Sequence, residues 1–189
     1  MAGKTLHLTL DLDEVVLEFL PKVVREFMKL SGAAAGLAGT EFSLEVNISG
    51  DKYRYIVKNG AEFDVAPGGL ENPMVAVSIP MEDMQKLILM KNIDMLLGIQ
   101  KKLTKEGFNV LSRIKGTVVF DLTNEDGGKS EINVRFNGAE APKARFLMGI
   151  DQARSVISGQ DNPVNLFMSG RLKIEGDMAL AMSVQPLFS

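Results

Sequence analysis

Residues 167–182 read Phe167-Met168-Ser169-Gly170-Arg171-Leu172-Lys173-Ile174-Glu175-Gly176-Asp177-Met178-Ala179-Leu180-Ala181-Met182. Gly170 predicts the end of a short helix or turn. Leu172 and Ile174 then alternate with Arg171, Lys173 and Glu175, giving a short strand one apolar side. Gly176 allows a sharp turn, and Asp177 is placed to cap the helix that follows. Met178, Leu180, Ala181, Met182 and Val184 give that helix an apolar, deformable surface. The segment holds no nucleophile and no set of metal ligands.

Working upstream, 162–168 predicts a short helix with Pro163 in its first turn, 151–158 a helix with Asp151 near its start, and 143–148 a strand. Strands at 116–123 and 130–136 flank a turn at 124–128, and Asn137-Gly138 signals a hairpin. A similar order lies further upstream. Strands are expected at 42–48, 53–58, 62–66 and 74–79, with a turn at 49–51 and a hairpin at Asn59-Gly60. Pro80 then starts a helix at 81–90, and 92–114 reads largely as helix with a break near Gly107. At the amino terminus, Leu6, Leu8, Leu10 and Leu12 alternate as one side of a strand over 4–12. Asp13 is the expected N-cap of a long apolar-faced helix reaching Leu30, which Pro21 should kink or divide.

The two sets of strands resemble each other. Gly39-Thr40 corresponds to Gly116-Thr117, Gly50 and Lys52 to Gly127 and Lys129, and Asn59-Gly60-Ala61-Glu62 to Asn137-Gly138-Ala139-Glu140. Pro73 corresponds to Pro142 and Ile88 to Ile157. The expectation is one domain over 1–189 with degenerate half-repeats at 39–114 and 116–187.

Composition narrows the chemistry. The 189 residues carry 21 basic and 24 acidic side chains, a net charge of −3 that gives no general affinity for nucleic acid. There is no cysteine, and His7 is the only histidine, which excludes disulfides, thiolate catalysis, Cys-ligated metals and multi-His sites. Gly3-Lys4-Thr5 lacks the spacing of a phosphate loop, and Gly32, Gly36 and Gly39 lack that of a dinucleotide fingerprint. The acidic group Asp11, Asp13, Glu14 and Glu18 reads as a solvated helix start, and Lys101, Lys102 and Lys105 as a solvated helical face. Glu82 and Asp83 are neighbours that do not face each other. The amino terminus does not read as a signal peptide, nothing in the chain spans a bilayer, and a cytoplasmic protein is the default expectation.

The stretch from Phe167 to Met182 resembles the closing signature of the sterol carrier protein type 2 family. There, a short helix ending in Phe-x-x-Gly runs into a Lys-Leu-Lys-Ile-x-Gly-like strand and an Asn- or Asp-capped Met/Leu/Ala helix. Arg171 stands where Lys is usual. The order of elements upstream is also similar, although the usual domain is little more than half as long as this chain. The resemblance implies an α+β fold, a mixed and mainly antiparallel sheet covered by helices. It further implies an apolar tunnel for a fatty acid, fatty acyl-CoA, sterol or similar ligand.

The resulting expectation is a non-catalytic lipid carrier that needs no cofactor and no metal. Phe146, Met148, Phe167, Ile174, Leu180 and Met182 are its expected ligand-binding lining, with Phe19, Val23 and Phe27 closing the cavity from the first helix. Eleven Met and ten Phe suit an adaptable lining, though most such residues simply fill a core. About twelve buried methylenes contribute roughly 10 kcal/mol, against an association cost of about 4–15 kcal/mol, which supports weak to micromolar binding. The alternative is a non-catalytic accessory or dimerisation module in lipid or quinone metabolism, a role that members of that family also fill. Its homodimer contact is the strand at 4–12, whose edge invites a partner. Transient membrane contact belongs to the carrier reading.

Overall fold

The computed structural model describes residues 11–89 and 103–188. Its eight strands are β1 (Glu41–Ile48), β2 (Asp51–Lys58), β3 (Glu62–Pro67), β4 (Val75–Ile79), β5 (Gly116–Thr123), β6 (Lys129–Phe136), β7 (Lys143–Gly149) and β8 (Leu172–Gly176). They form one sheet in the order β3-β2-β1-β4-β6-β5-β7-β8. β1 runs parallel to β4, and β5 to β7; the other five pairings are antiparallel. The helices are α1 (Leu20–Ser31), α2 (Met81–Leu89), α3 (Lys105–Leu111), α4 (Ile150–Ile157), α5 (Pro163–Met168) and α6 (Met178–Val184). The expected mixed, mainly antiparallel sheet with helices is therefore present. The alternating strand expected at 4–12, and with it the proposed dimer edge, lies almost wholly outside the described residues.

Period two sorts the sheet into two faces. Phe42, Ile48, Tyr53, Val57, Val118, Leu122, Ala144 and Phe146 are buried in clusters shared with the helices. The opposite face carries ion pairs, such as Lys58 with Glu41 at 3.1 Å and Arg145 with Asp121 at 3.0 Å. Glu45 is a buried carboxylate on that face. Burial pushes its carboxyl up, but the Leu70 N–H at 2.8 Å and Lys52 at 3.0 Å outweigh this and hold it below the ordinary carboxylate range.

The first helix departs from the sequence expectation in two ways. Asp11 and not Asp13 caps it: the Asp11 carboxylate accepts from the Asp13 N–H at 3.0 Å, and the Asp11 carbonyl accepts from the Val15 N–H. Asp13 is already helical, which frees its carboxylate to accept from the Tyr53 hydroxyl at 2.7 Å. Pro21 does not divide the helix. Residues Glu14–Phe19 are wound as a π-helix, with the Leu20 N–H donating to the Val15 carbonyl five residues back. The next such donor is Pro21, which has no N–H. The Val16 carbonyl instead accepts from the Tyr55 hydroxyl at 2.6 Å.

The second Asn-Gly turn is also a correction. Asn59 and Gly60 take positive φ and turn β2 into its antiparallel neighbour β3. Asn137 and Gly138 take the same conformation, yet β7 does not pair with β6. The edge of β6 is occupied by β4, with Val75 opposite Phe136, so the chain passes over to the far side of β5. The Asn137 amide holds this crossing by donating to the carbonyls of Leu111 and Ile114 at 2.8 and 2.7 Å.

A buried polar joint ties the two halves together. The Asp83 carboxylate, on α2, accepts from the Ser130 hydroxyl at 2.8 Å and from the Glu131 N–H at 3.1 Å. One core cluster also crosses the joint, combining Val16, Ile48, Tyr53, Ile79 and Met84 with Leu122, Ile150 and Ala153.

Candidate functional site

The tail folds as its residues direct. Gly170 takes positive φ and ends α5, and the Arg171 N–H donates back to the Leu166 carbonyl. The Asp177 carboxylate caps α6 by accepting from the Leu180 N–H at 2.7 Å. Gly176 sits at φ +86°, where a Cβ would come within 2.5 Å of the Lys143 carbonyl oxygen, so only glycine lets β8 lie this close to β7.

Beneath these helices lies a cluster of Val118, Phe136, Ala144, Phe146, Leu166, Leu172, Leu180, Ala181 and Val184, with Met148 and Ile174 packed against it. Phe146 stacks on Phe120 with ring centroids 5.5 Å apart, and Phe188 meets Phe120 edge-on at 6.0 Å. Of the expected lining, Phe146, Met148, Ile174 and Leu180 come together here. Phe167 and Met182 are 42% and 55% exposed and turn outward. Phe19 is exposed on the first helix. Phe27 packs with Met28, Leu37, Phe42 and Val57 in a separate cluster under the amino-terminal half, and Val23 is half-buried on the same helix.

A cleft of about 760 Å³, open to solvent, runs between α3 and α6. Val110, Ile114, Pro142, Ala179, Leu180 and Pro186 form its apolar walls, and Glu106, Arg113, Lys115 and Asp177 supply charge. Asp177 is committed to the α6 cap, whereas Arg113 and Lys115 form no ion pair among the described residues. Gly116, at φ +135°, packs against two of the lining residues: a Cβ there would meet the Pro142 carbonyl oxygen at 2.5 Å and Leu180 at 2.8 Å. Leu180 is the one cleft residue that was expected as lining. Arg113 and Lys115 escape sequence reading because cations after a helix look like ordinary partners of its last carbonyls.

The tyrosines are poor nucleophiles. Burial and the bond to Asp13 push Tyr53 up to about 12, and burial pushes Tyr55 higher still. Among the described residues, no group of three or more His, Cys, Asp or Glu side chains is placed to hold a metal ion, and no helix is long and apolar enough to cross a membrane.

Comparison with known proteins bears on this half of the chain. "Sterol carrier protein 2" of Gallus gallus is 29% identical over 99 residues, which are 47% of this chain and 18% of that protein. "Hydroxysteroid dehydrogenase-like protein 2" of Homo sapiens is 30% identical over 89 residues, 43% of this chain and 21% of that protein. The chain thus spans about a fifth of the length of the curated relatives it matches. Among solved structures, the sterol carrier protein domain 2 of Helicoverpa armigera is 26% identical, with a TM-score of 0.40 over 51% of this chain and 83% of that one. The model of the SCP-2 sterol transfer family matches residues 99–189, so the carboxy-terminal part of the chain is similar to that family.

Proposed function

We propose that the chain is a non-catalytic lipid carrier whose ligand is an anionic acyl lipid, a fatty acid or fatty acyl-CoA, held in the cleft between α3 and α6. The observation that carries this reading is the pairing of apolar walls at Val110, Ile114 and Leu180 with the two cations Arg113 and Lys115. A carboxylate or phosphate suits those cations, while a sterol hydroxyl does not use them. The volume falls within the roughly 300–1,000 Å³ of small-molecule sites. The open side argues for weak, exchangeable binding, since part of the acyl chain stays in water. Phe146, Met148 and Ile174 form the wall behind Leu180 on this reading. Phe167, Met182, Phe19, Val23 and Phe27 belong to it only through movement of their helices. Transfer without covalent chemistry is supported by the absence of cysteine, the single histidine and the sequestered tyrosine hydroxyls.

Titration with a fluorescent polyene fatty acid, and with the matching fatty alcohol, tests this. Arg113→Gln/Lys115→Gln is expected to weaken the acid about tenfold and leave the alcohol unchanged, since two charge-assisted contacts are lost. Ala179→Trp, which fills the cleft, should weaken both probes. Equal binding of the acid by wild type and both variants contradicts the cleft assignment.

We propose in addition that 39–114 and 116–187 descend from one duplicated unit. The support is their shared order of pairings, a hairpin whose first strand also takes a parallel neighbour followed by a helix. Profiles of the two segments, built separately from homologues, should align; profiles that do not would sink the duplication.

A further inference from the structure

Five of the seven exposed large apolar side chains of the described residues lie on the two helices that flank β8. Val164, Phe167 and Met168 lie on α5, and Met178 and Met182 on α6. They follow helical spacing, three and four apart on α5 and four apart on α6. Both helices pack on β8, and their opposite sides bury Leu166, Leu180, Ala181 and Val184 in one cluster. The five exposed side chains therefore face away from that cluster on both helices, with Met168 79% exposed.

Charge and area together say what fits this face. Neither Pro163–Met168 nor Met178–Val184 contains a charged residue. The hydroxyls that follow α5 and lie on α6 are satisfied within their own segments: Ser169 donates to the Asn165 carbonyl at 2.8 Å and accepts from Arg171 Nε at 3.1 Å, and Ser183 donates to the Leu180 carbonyl at 2.7 Å. A protein partner is recognised through directional hydrogen bonds, about one per 100–200 Å², and these helices offer few. Five part-exposed side chains amount to a patch of a few hundred Å², short of the roughly 800 Å² per partner that a stable dimer buries. Non-directional contact with hydrocarbon needs neither hydrogen bonds nor that area, and flexible Met side chains suit it.

We infer that the outer side of α5 and α6 seats the chain reversibly on the surface of a neutral lipid bilayer. The contact lies outside the cleft between α3 and α6, so its failure and the failure of the carrier reading are separate results. The chain contains no tryptophan, so a single introduced indole is a clean reporter. Met168→Trp is expected to shift its emission to the blue on addition of phosphatidylcholine vesicles and to be quenched by brominated acyl chains. Leu30→Trp, at an exposed apolar position on α1, should do neither. In vesicle flotation, wild-type binding should persist when salt rises from about 0.05 to about 0.5 M, because no charge is involved. Met168→Gln/Met178→Gln should lose at least about tenfold in partitioning, with an unchanged melting temperature and unchanged uptake of fatty acid in the absence of vesicles. Four results would overturn the inference. They are no flotation of wild type, binding abolished by salt, a double variant that floats like wild type, and light scattering that shows a dimer dispersed by the double variant.

Discussion

In the amino-terminal half, β1 takes β2 as antiparallel and β4 as parallel neighbour, and α2 follows; in the carboxy-terminal half, β5 takes β6 and β7 in the same way, and α4 follows. The halves differ in what is added. The first closes its outer edge with β3 and lays a π-wound helix over its inner face, pinned by Tyr53 and Tyr55. The second closes its edge with β8 and covers its inner face with the short, charge-free helices α5 and α6. The cleft, whose Arg113 and Lys115 form no ion pair among the described residues, lies beside α6. Similar frameworks thus carry different covers, one latched by part-buried tyrosine hydroxyl bonds and one held mainly by apolar packing, with the Asp177 N–H donating to the Lys143 carbonyl.

The largest effect expected from this comparison comes from its cores. Leu37 and Leu166 are both fully buried, one under each half. Leu37→Ala and Leu166→Ala should each cost about 2–5 kcal/mol. Because the sheet and one core cluster run across both halves, each variant should lower a single cooperative transition in calorimetry. Two separate transitions would break the picture of halves that share a core. Next comes the polar joint. Asp83→Ala leaves the buried Ser130 hydroxyl and the Glu131 N–H short of an acceptor and should cost about 1–3 kcal/mol in urea unfolding. A neutral result would mean that water replaces the carboxylate at no cost.

Strands were the most legible part of the fold, because Phe42, Leu44, Val46 and Ile48, or Val118, Phe120 and Leu122, write their two-residue period openly. Strand partners were not. Asn137-Gly138 dictates its own left-handed turn, but which edge the next strand joins depends on β4, some sixty residues upstream. The Asp177 cap and the Gly170 and Gly176 turns were legible because each is fixed within a few residues. The inward side of α5 and α6 was not. Pro-Val-Asn-Leu-Phe-Met and Met-Ala-Leu-Ala-Met-Ser-Val are apolar on several sides, so periodicity does not select Leu166 over Phe167 or Leu180 over Met182. The cleft was hidden for a related reason: it is built by the approach of Pro142 and Leu180 to Gly116, which no local pattern encodes.

Two smaller effects sharpen the contrast between the covers. Tyr55→Phe strands the Val16 carbonyl and should cost about 1 kcal/mol, more than Tyr53→Phe, whose partner Asp13 is exposed to water. Equal costs would mean that the missing Pro21 donor is not what Tyr55 replaces. Both hydroxyls are protonated more firmly in the folded chain, so the stability they contribute is present below the ordinary value of 10.0 and, for Tyr53, is lost as pH rises through about 12. The smallest effect concerns Glu45. Its carboxyl is held below the ordinary value of 4.5, so its contribution is present above that pH and is lost as pH falls through the lower folded value. Glu45→Gln should flatten that acid limb by under about 1 kcal/mol, because Lys52 is well exposed; an unchanged acid limb would discount the pair.

The most direct measurement is to incubate the purified chain with a fatty acid, desalt it, extract it with organic solvent and weigh the extract by mass spectrometry. A carrier of the kind proposed returns one acyl lipid per chain, and Ala179→Trp returns almost none. An extract equally bare from both proteins would contradict lipid binding in the cleft and leave only the architecture standing.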